Sequence, residues 1–276
     1  MRLSPHMTVM QNAATKAARR LVRDFAEVEQ LQVSVKGPGD FVSQADLRAE
    51  TIIREELERA RPGYAFLMEE SGASGGENWT WRWIVDPLDG TTNFLHGIPQ
   101  WAISIALERR LSDGQTEIAA ALVYNPVNNE MFWAERGVGA FLNDRRLRVS
   151  ARREMLQSVF ATGIPFAKVP AQRRLPFART LGALMPQVAG IRRFGAAALD
   201  LAWVAAGRYE GFWEIGLKPW DCAAGILLVR EAGGYVTDEN GREIANFDGD
   251  LTVVAGNAHM HGPLRAILHA AIHPEA

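Results

Sequence analysis

Trp83-Ile84-Val85-Asp86-Pro87-Leu88-Asp89-Gly90-Thr91-Thr92 is the stretch on which the reading of this chain turns. The run Trp83-Ile84-Val85 has the composition of a buried strand, and it ends on two carboxylates three residues apart. A glycine and two hydroxyl residues follow at once and can open a helix. Paired carboxylates at a strand tip are suited to hold a divalent cation. A Gly-Thr-Thr helix start beside them offers backbone N–H groups to a phosphate. Cation and phosphate in one loop point to phosphoryl chemistry.

Two further acids stand at the ends of apolar elements. Glu69 closes Ala65-Phe66-Leu67-Met68, so if that strand neighbours the first, Glu69 and Asp86 emerge at one sheet edge. Asp221 follows Lys218-Pro219-Trp220 and precedes an apolar run, which puts it in the first turn of a helix, where the dipole favours an anion. Glu69, Asp86, Asp89 and Asp221, with the Leu88 carbonyl, form an all-oxygen donor set. Brought together, four carboxylates repel one another. Hard cations relieve that, and oxygen ligation selects Mg²⁺ or Mn²⁺ over zinc. Two such ions about 3.5–4 Å apart can activate water and stabilise a leaving oxygen. Taken singly, each acid has a plainer reading: Asp89-Gly90 as a turn, Asp221 as a helix cap, Glu69-Glu70 as a solvated pair. Spacing alone does not decide whether they converge.

The rest of the chain narrows the classes. Its 276 residues, 47% of them hydrophobic, can bury a substantial core, and no segment approaches the ~20-residue apolar span of a membrane helix. The N-terminus lacks the apolar core of a secretory signal. Cys222 is the only cysteine, so internal disulfides are excluded and a reducing cytoplasm is the expected location. A formal net charge of −2 gives no general attraction to nucleic acid or an anionic membrane. The basic run Arg145–Arg153 reads as a solvated hairpin or as a partner-binding patch. Cys222 reads as a buried structural thiol, the tryptophans as core, and His96 as a structural neighbour of the acidic loop.

Periodicity predicts a first helix over 7–31 and a second over 43–61, joined through the turn Lys36–Asp40. Strands are predicted over 65–69, 82–86, 102–109, 117–124 and 130–135, with a hairpin at Asn143-Asp144. From about residue 155 short apolar runs alternate with helices: strands at 159–163, 191–194, 209–215 and 251–255, helices at 171–186, 196–206, 220–232 and 261–272. Antiparallel strands first and alternating α and β later imply stacked sheet and helix layers. No hard boundary is drawn at the change, because acids for one site come from both sides of it.

At these residues the chain resembles the inositol monophosphatase family. Trp83 to Phe94 is similar to that family's first signature. Trp220-Asp221-Cys222-Ala223-Ala224-Gly225, running on through Glu231-Ala232-Gly233-Gly234, is similar to the second. The segments Glu69-Glu70-Ser71 and Asp40–Asp46 match too, and the similarity runs the whole chain in order. It implies a single α/β (α+β) domain over 1–276, a layered α-β-α-β-α sandwich of the sugar/inositol phosphatase type. Residues 1–154 then form an N-terminal half with the metal loop and 155–276 a C-terminal α/β half. It also implies a homodimer and Mg²⁺-dependent hydrolysis of a small polyol or sugar phosphate, without direct nucleic-acid or membrane binding.

Carried over position by position, Glu69, Asp86 and the Leu88 carbonyl match one metal site, and Asp86, Asp89 and Asp221 a second. Glu69 and Thr91 match the pair that positions the attacking water, with Asp89 beside them in the catalytic set. Gly90 and Thr91 match backbone donors to phosphate. Gly195, Ala197 and Glu214 match polyol contacts, with Asp89 and Asp221 at the same substrate, and Lys36 and Asp46 match outer supports on the Glu69 side. Two positions depart from the family's habit: Met68, where a small or hydroxyl residue is usual, and Ala196, where Ser or Thr is common. Both bear on substrate preference rather than on the reaction. Inositol 1-phosphate is the leading substrate. Fructose 1,6-bisphosphate, histidinol phosphate and 3′-phosphoadenosine 5′-phosphate are rivals, with Arg192 and Arg193 the modest candidates for a second anion pocket. A regulatory role in transcription is the reading from another class.

Overall fold

A computed structural model describes residues 3–27, 33–37, 40–165 and 171–274, with 33–37, 40–42 and 171–173 described at the backbone level. In chain order the first part holds α1 (Pro5–Ala26), β1 (Val33–Gly37), β2 (Asp40–Ser43), α2 (Gln44–Ala60), β3 (Ala65–Met68), β4 (Gly72–Ser74) and β5 (Trp81–Asp89). It continues with α3 (Thr91–Leu95), β6 (Ala102–Arg110), β7 (Thr116–Asn125), β8 (Glu130–Glu135), β9 (Gly139–Leu142) and β10 (Arg145–Arg146). Then come β11 (Val159–Thr162), α4 (Ala171–Leu184), β12 (Gly190–Arg192), α5 (Ala197–Ala205), β13 (Gly211–Leu217), α6 (Pro219–Glu231), β14 (Tyr235–Thr237), β15 (Leu251–Gly256) and α7 (His261–Ile272).

Among the described residues the strands form an eight-stranded sheet, order β10-β9-β8-β7-β6-β5-β3-β4, a five-stranded sheet, order β12-β11-β13-β15-β14, and the separate pair β1-β2. Side-chain alternation along β5 shows why the layers stack. Trp83 and Val85 join a cluster with Met7, Met10, Leu21, Ile53 and Leu57 of α1 and α2. Ile84 points the other way, into a cluster that holds Leu201, Ile226 and Leu228 of α5 and α6 together with Phe212 and Val253 of the smaller sheet. On that sheet's far side Phe160, Trp213 and Val254 pack against Leu184, Leu264 and Leu268 of α4 and α7. The order is therefore α1/α2, large sheet, α5/α6, small sheet, α4/α7, the expected five layers. Because β5 is covered on both faces, it reads as a continuous apolar run rather than an alternating one.

Boundaries moved where caps decide them. α1 begins at Pro5, with the Ser4 hydroxyl accepting from Met7 N at 3.1 Å; this is the serine cap and N1 proline arrangement. It ends by Ala26, and residues 28–31 of the expected helix lie outside the described ones. The region read as a turn around Lys36 contains the antiparallel pair β1–β2, in which Val33 and Val35 alternate with polar residues over a span too short to register as strand. β4 and β14, three residues each, were missed for the same reason. No described helix is long and apolar enough to cross a membrane.

Candidate active site

β3 and β5 run parallel, with Met68 opposite Val85, so Glu69 and Asp86 leave the sheet side by side. The backbone continues that register for one bond, Glu69 N donating to Val85 O at 3.1 Å. Met68 is fully buried behind Glu69. In a regular strand residues three apart face opposite sides. Pro87 has no N–H to give the ladder, and the pairing of β5 with β6 shifts register between Asp86 and Asp89. That irregularity re-aims Asp89 relative to Asp86, so the two can serve one site.

Each of the three aspartates on this rim has one oxygen held by a backbone amide. Asp86 Oδ1 accepts from Leu88 N at 2.9 Å, Asp89 Oδ2 from Ala198 N at 2.8 Å, and Asp221 Oδ2 from Lys218 N at 2.7 Å. The Asp89 bond crosses from the large sheet to the first turn of α5, where the Ala197 and Leu199 amides also face the carboxylate. Asp221 is the third residue of α6. Ser104 Oγ fixes that helix start to β6 by donating to Trp220 O at 3.1 Å.

The electrostatics follow from crowding. Burial, then the charges of Glu69, Asp89 and Asp221, hold the Asp86 carboxyl well above the usual range, and it shares a hydrogen bond with Glu69. Burial pushes Asp89 up to about 7, with the Ala198 amide pulling down and the Glu69 charge pushing up. Asp221 is raised by burial first and by Asp89 next. Four acids thus couple electrically across one rim. Among the described residues, however, no three acidic, histidine or cysteine side chains close to coordination range, since each aspartate is turned onto its own amide. The donors fit a hard cation on chemistry: all are oxygen, the three aspartates are each fixed through one atom, and their mutual repulsion is the term a divalent cation cancels.

Gly90 forms the bend after Asp89 with φ +93°, and a Cβ there would lie 2.9 Å from Gln100 O and 3.3 Å from Ala196 Cβ. Only glycine fits both the angle and the space. Thr91 opens α3, and its hydroxyl lies 2.9 Å from Asp46 Oδ1 and 3.1 Å from Leu88 O, able to donate to either. Asp46 is fully buried in the first turn of α2, where its other oxygen accepts from Ser43 N at 2.8 Å and Ser43 Oγ at 2.6 Å. Lys36, expected near here, is described only through the backbone of β1.

Across the rim stands Glu214 of β13. It lies over Gly163 so closely that a Cβ at 163 would come within 1.8 Å of Glu214 Oε1. Burial, then the charge of Asp89, pushes Glu214 up to about 8, while Arg193 pulls down. The turn at Gly195, φ +76°, carries the chain from Arg193 to Ala197, and the Arg193 guanidinium folds against it, Nη1 falling 2.9 Å from a Cβ placed at 195. Asn93 ties this turn to the acidic loop, its Nδ2 donating to Gln100 O at 2.7 Å and Phe194 O at 2.6 Å. Asp200 of α5 is buried between Glu214 and Asp89 and raised mainly by that burial. Gly163, Asn93 and Asp200 escaped the sequence reading, since nothing local marks a glycine as the bed of a carboxylate fifty residues away. Cys222 is fully buried with its thiol pushed up by burial, and Arg192 folds back onto its own Ile191 carbonyl at 3.2 Å.

A model described as the inositol monophosphatase family matches residues 3–273. An inositol-1-monophosphatase of Mesorhizobium japonicum is 55% identical over 268 residues, which cover 97% of this chain and 96% of that protein. The Nus factor SuhB of Escherichia coli K12 is 43% identical over 255 residues, 92% of each chain. The crystal structure of the extragenic suppressor protein suhB from Bartonella henselae superposes with a TM-score of 0.88 at 56% identity, covering 96% of this chain and 98% of that one. With the match running nearly end to end and the acids of both signatures brought to one rim, the chain belongs to the inositol monophosphatase family and is a phosphatase.

Proposed function

We propose that this protein hydrolyses inositol 1-phosphate, or a closely similar small polyol monophosphate, in a Mg²⁺-dependent reaction for which Mn²⁺ can substitute. The observation that carries the reading is the meeting of Glu69, Asp86, Asp89 and Asp221 on one rim, opposite Glu214. Glu69, Asp86, Asp89, Asp221 and the Leu88 carbonyl are the residues that would hold magnesium. When bound, the ion supplies Lewis acidity and lowers the pKa of water.

The chain's own groups do the rest. Glu69 and the Thr91 hydroxyl orient the attacking water, with Thr91 steadied by Asp46. The Gly90 and Thr91 amides, which lack intrahelical partners in the first turn of α3, hold phosphoryl oxygens. Glu214 and the turn from Gly195 to Ala197 receive the polyol. A Glu214 carboxyl poised near about 8 carries a proton much of the time at neutral pH, so it can both donate to and accept from hydroxyl groups. A bisphosphate is disfavoured, because Arg192 is engaged with its own backbone and Arg193 serves Glu214.

Two further parts belong to the same reading. The protein works as a homodimer; the exposed apolar side chains of Ile98 and Phe194, brought close through Asn93, offer surface for a second copy. The second reading, a regulatory role of the kind named in the Nus factor relatives, rests on 43% identity to them. With a net charge of −2, that role would run through protein contacts rather than through nucleic acid.

The test is phosphate release from a panel of inositol 1-phosphate, fructose 1,6-bisphosphate and histidinol phosphate, with Mg²⁺ and with EDTA. Magnesium-dependent release, fastest on inositol 1-phosphate, is expected; release unchanged by EDTA would reject the assignment. In the same assay Glu214→Ala is expected to raise KM for inositol 1-phosphate by about tenfold, or ~1.4 kcal/mol, while kcat moves little. An unchanged KM would remove Glu214 from the polyol site.

A further inference from the structure

At the end of β5 remote from Asp89 lies a second cavity, of about 790 Å³, within the range that receives small organic ligands. Arg82 on β5 is seven residues from Asp89, so roughly 20 Å separates this cavity from the acidic rim at ~3.3 Å per strand residue. Its floor is Ala65 and Phe66 of β3 and Ala73 of β4. Its walls are the segment before β5, the β6–β7 turn and the 245–248 loop. Two walls are joined, Thr116 Oγ1 donating to Ala245 O at 3.0 Å.

The charged residues of the lining are Arg82, Arg110, Glu77 and Asp248, set around Trp79. Trp79 has two guanidinium groups over its ring, Arg110 at 4.1 Å and Arg82 at 4.5 Å from the centroid. The Arg82 side chain is 11% exposed and held from behind, its Nε donating at 2.7 Å to Glu108 Oε2, a fully buried carboxylate whose Oε1 has no hydrogen-bond partner. A buried pair of this kind adds little stability over an apolar one, so its use here is to aim the fork of Arg82. Toward the cavity, Nη1 and Nη2 share one oxygen, Asp248 Oδ1, at 3.3 and 3.4 Å. Those distances exceed the ~2.7–2.9 Å of a well-made charged bond, and the Asp248 side chain is 69% exposed. Asp248 is a loosely held carboxylate on a site that a better carboxylate can take.

We propose that this cavity binds a planar organic anion, a carboxylate carried on an aromatic body. Its charged end replaces Asp248 on the Arg82 fork and its flat body lies in the cavity beside Arg110 and Trp79. The inference is independent of the phosphatase site and does not rest on its chemistry.

Calorimetric titration of the full chain with indole-3-acetate, and with its neutral counterpart indole-3-acetamide, tests it. The acid is expected to bind at least ~10-fold more tightly than the amide, the discrimination a desolvated guanidinium gives. Arg110→Gln and Trp79→Leu are each expected to weaken the acid about fivefold or more, through loss of charge and of the ring that holds both guanidinium groups. Asp248→Asn removes the competitor and is expected to tighten binding about threefold. Phosphate release from inositol 1-phosphate by these three variants should stay within about twofold of the parent, since none touches the acidic rim. Arg82 itself is left intact, because its removal would strand Glu108 without a partner in the core. No binding of indole-3-acetate at millimolar concentration would overturn the proposal. So would equal binding of acid and amide, or a titration undiminished in both Arg110→Gln and Trp79→Leu. Asp248→Asn that failed to tighten binding would also overturn it.

Discussion

Asp89→Asn is expected to lower magnesium-dependent phosphate release from inositol 1-phosphate by ~10³-fold or more, about 4 kcal/mol of transition-state stabilisation. The substitution keeps the shape of the side chain, and its carbonyl oxygen can still accept from Ala198 N, so the contact between β5 and α5 survives. What goes is a negative charge in a rim where Glu69, Asp86 and Asp221 already crowd one another. The melting temperature should therefore hold or rise slightly, since like-charge repulsion is relieved. Phosphate release by malachite green, read beside a thermal melt, checks both halves. Near-normal turnover with magnesium in a folded Asp89→Asn protein would end the assignment of this rim as the catalytic centre.

The second large effect is expected at Gly90, through geometry rather than charge. Alanine there must take φ near +93° and place its Cβ 2.9 Å from a backbone carbonyl, Gln100 O, which cannot swing aside as a side-chain end could. The strain costs about 1–3 kcal/mol, and relief by shifting the loop moves Asp89 and Thr91 together. A displacement of ~1 Å in positioned groups is enough to cost about 10²-fold in rate. Gly90→Ala should thus lose both stability and activity, whereas Asp89→Asn loses activity alone. Unchanged kcat/KM in Gly90→Ala would mean that the bend between β5 and α3 does not set the geometry of the site.

Much of the scaffold was legible because local chemistry and tertiary role agree. β5 announces itself as an apolar run ending in acid, α2 by Ala49, Ile52, Ile53 and Leu57 at helical spacing, and α6 by Pro219 and Asp221. Where only pairing defines an element, as in β1, β2, β4 and β14, three to five residues carry too little period to be read. The rim itself divides the same way. That Asp86 and Asp89 stand at a strand tip can be read from the sequence; that one register shift at Pro87 re-aims them is a property of pairing with β6. No spacing announces that Ala198 will cap Asp89, that Gly163 will leave room for Glu214, or that Asn93 will clasp the carbonyl of Phe194. These are contacts between segments some fifty to more than a hundred positions apart, and they exist only once both sheets have closed on α5 and α6.

The bond from Ala198 to Asp89 spans 109 positions and has a consequence for the newborn chain. A polypeptide leaving the ribosome releases β5 long before α5, so for part of its synthesis it carries the acids without their latch. Until α5 is made, Asp89 has no Ala198 amide to hold it and the rim cannot take its final geometry. The rim is therefore among the last parts of the molecule to be completed, since it waits for the second half to dock on the first.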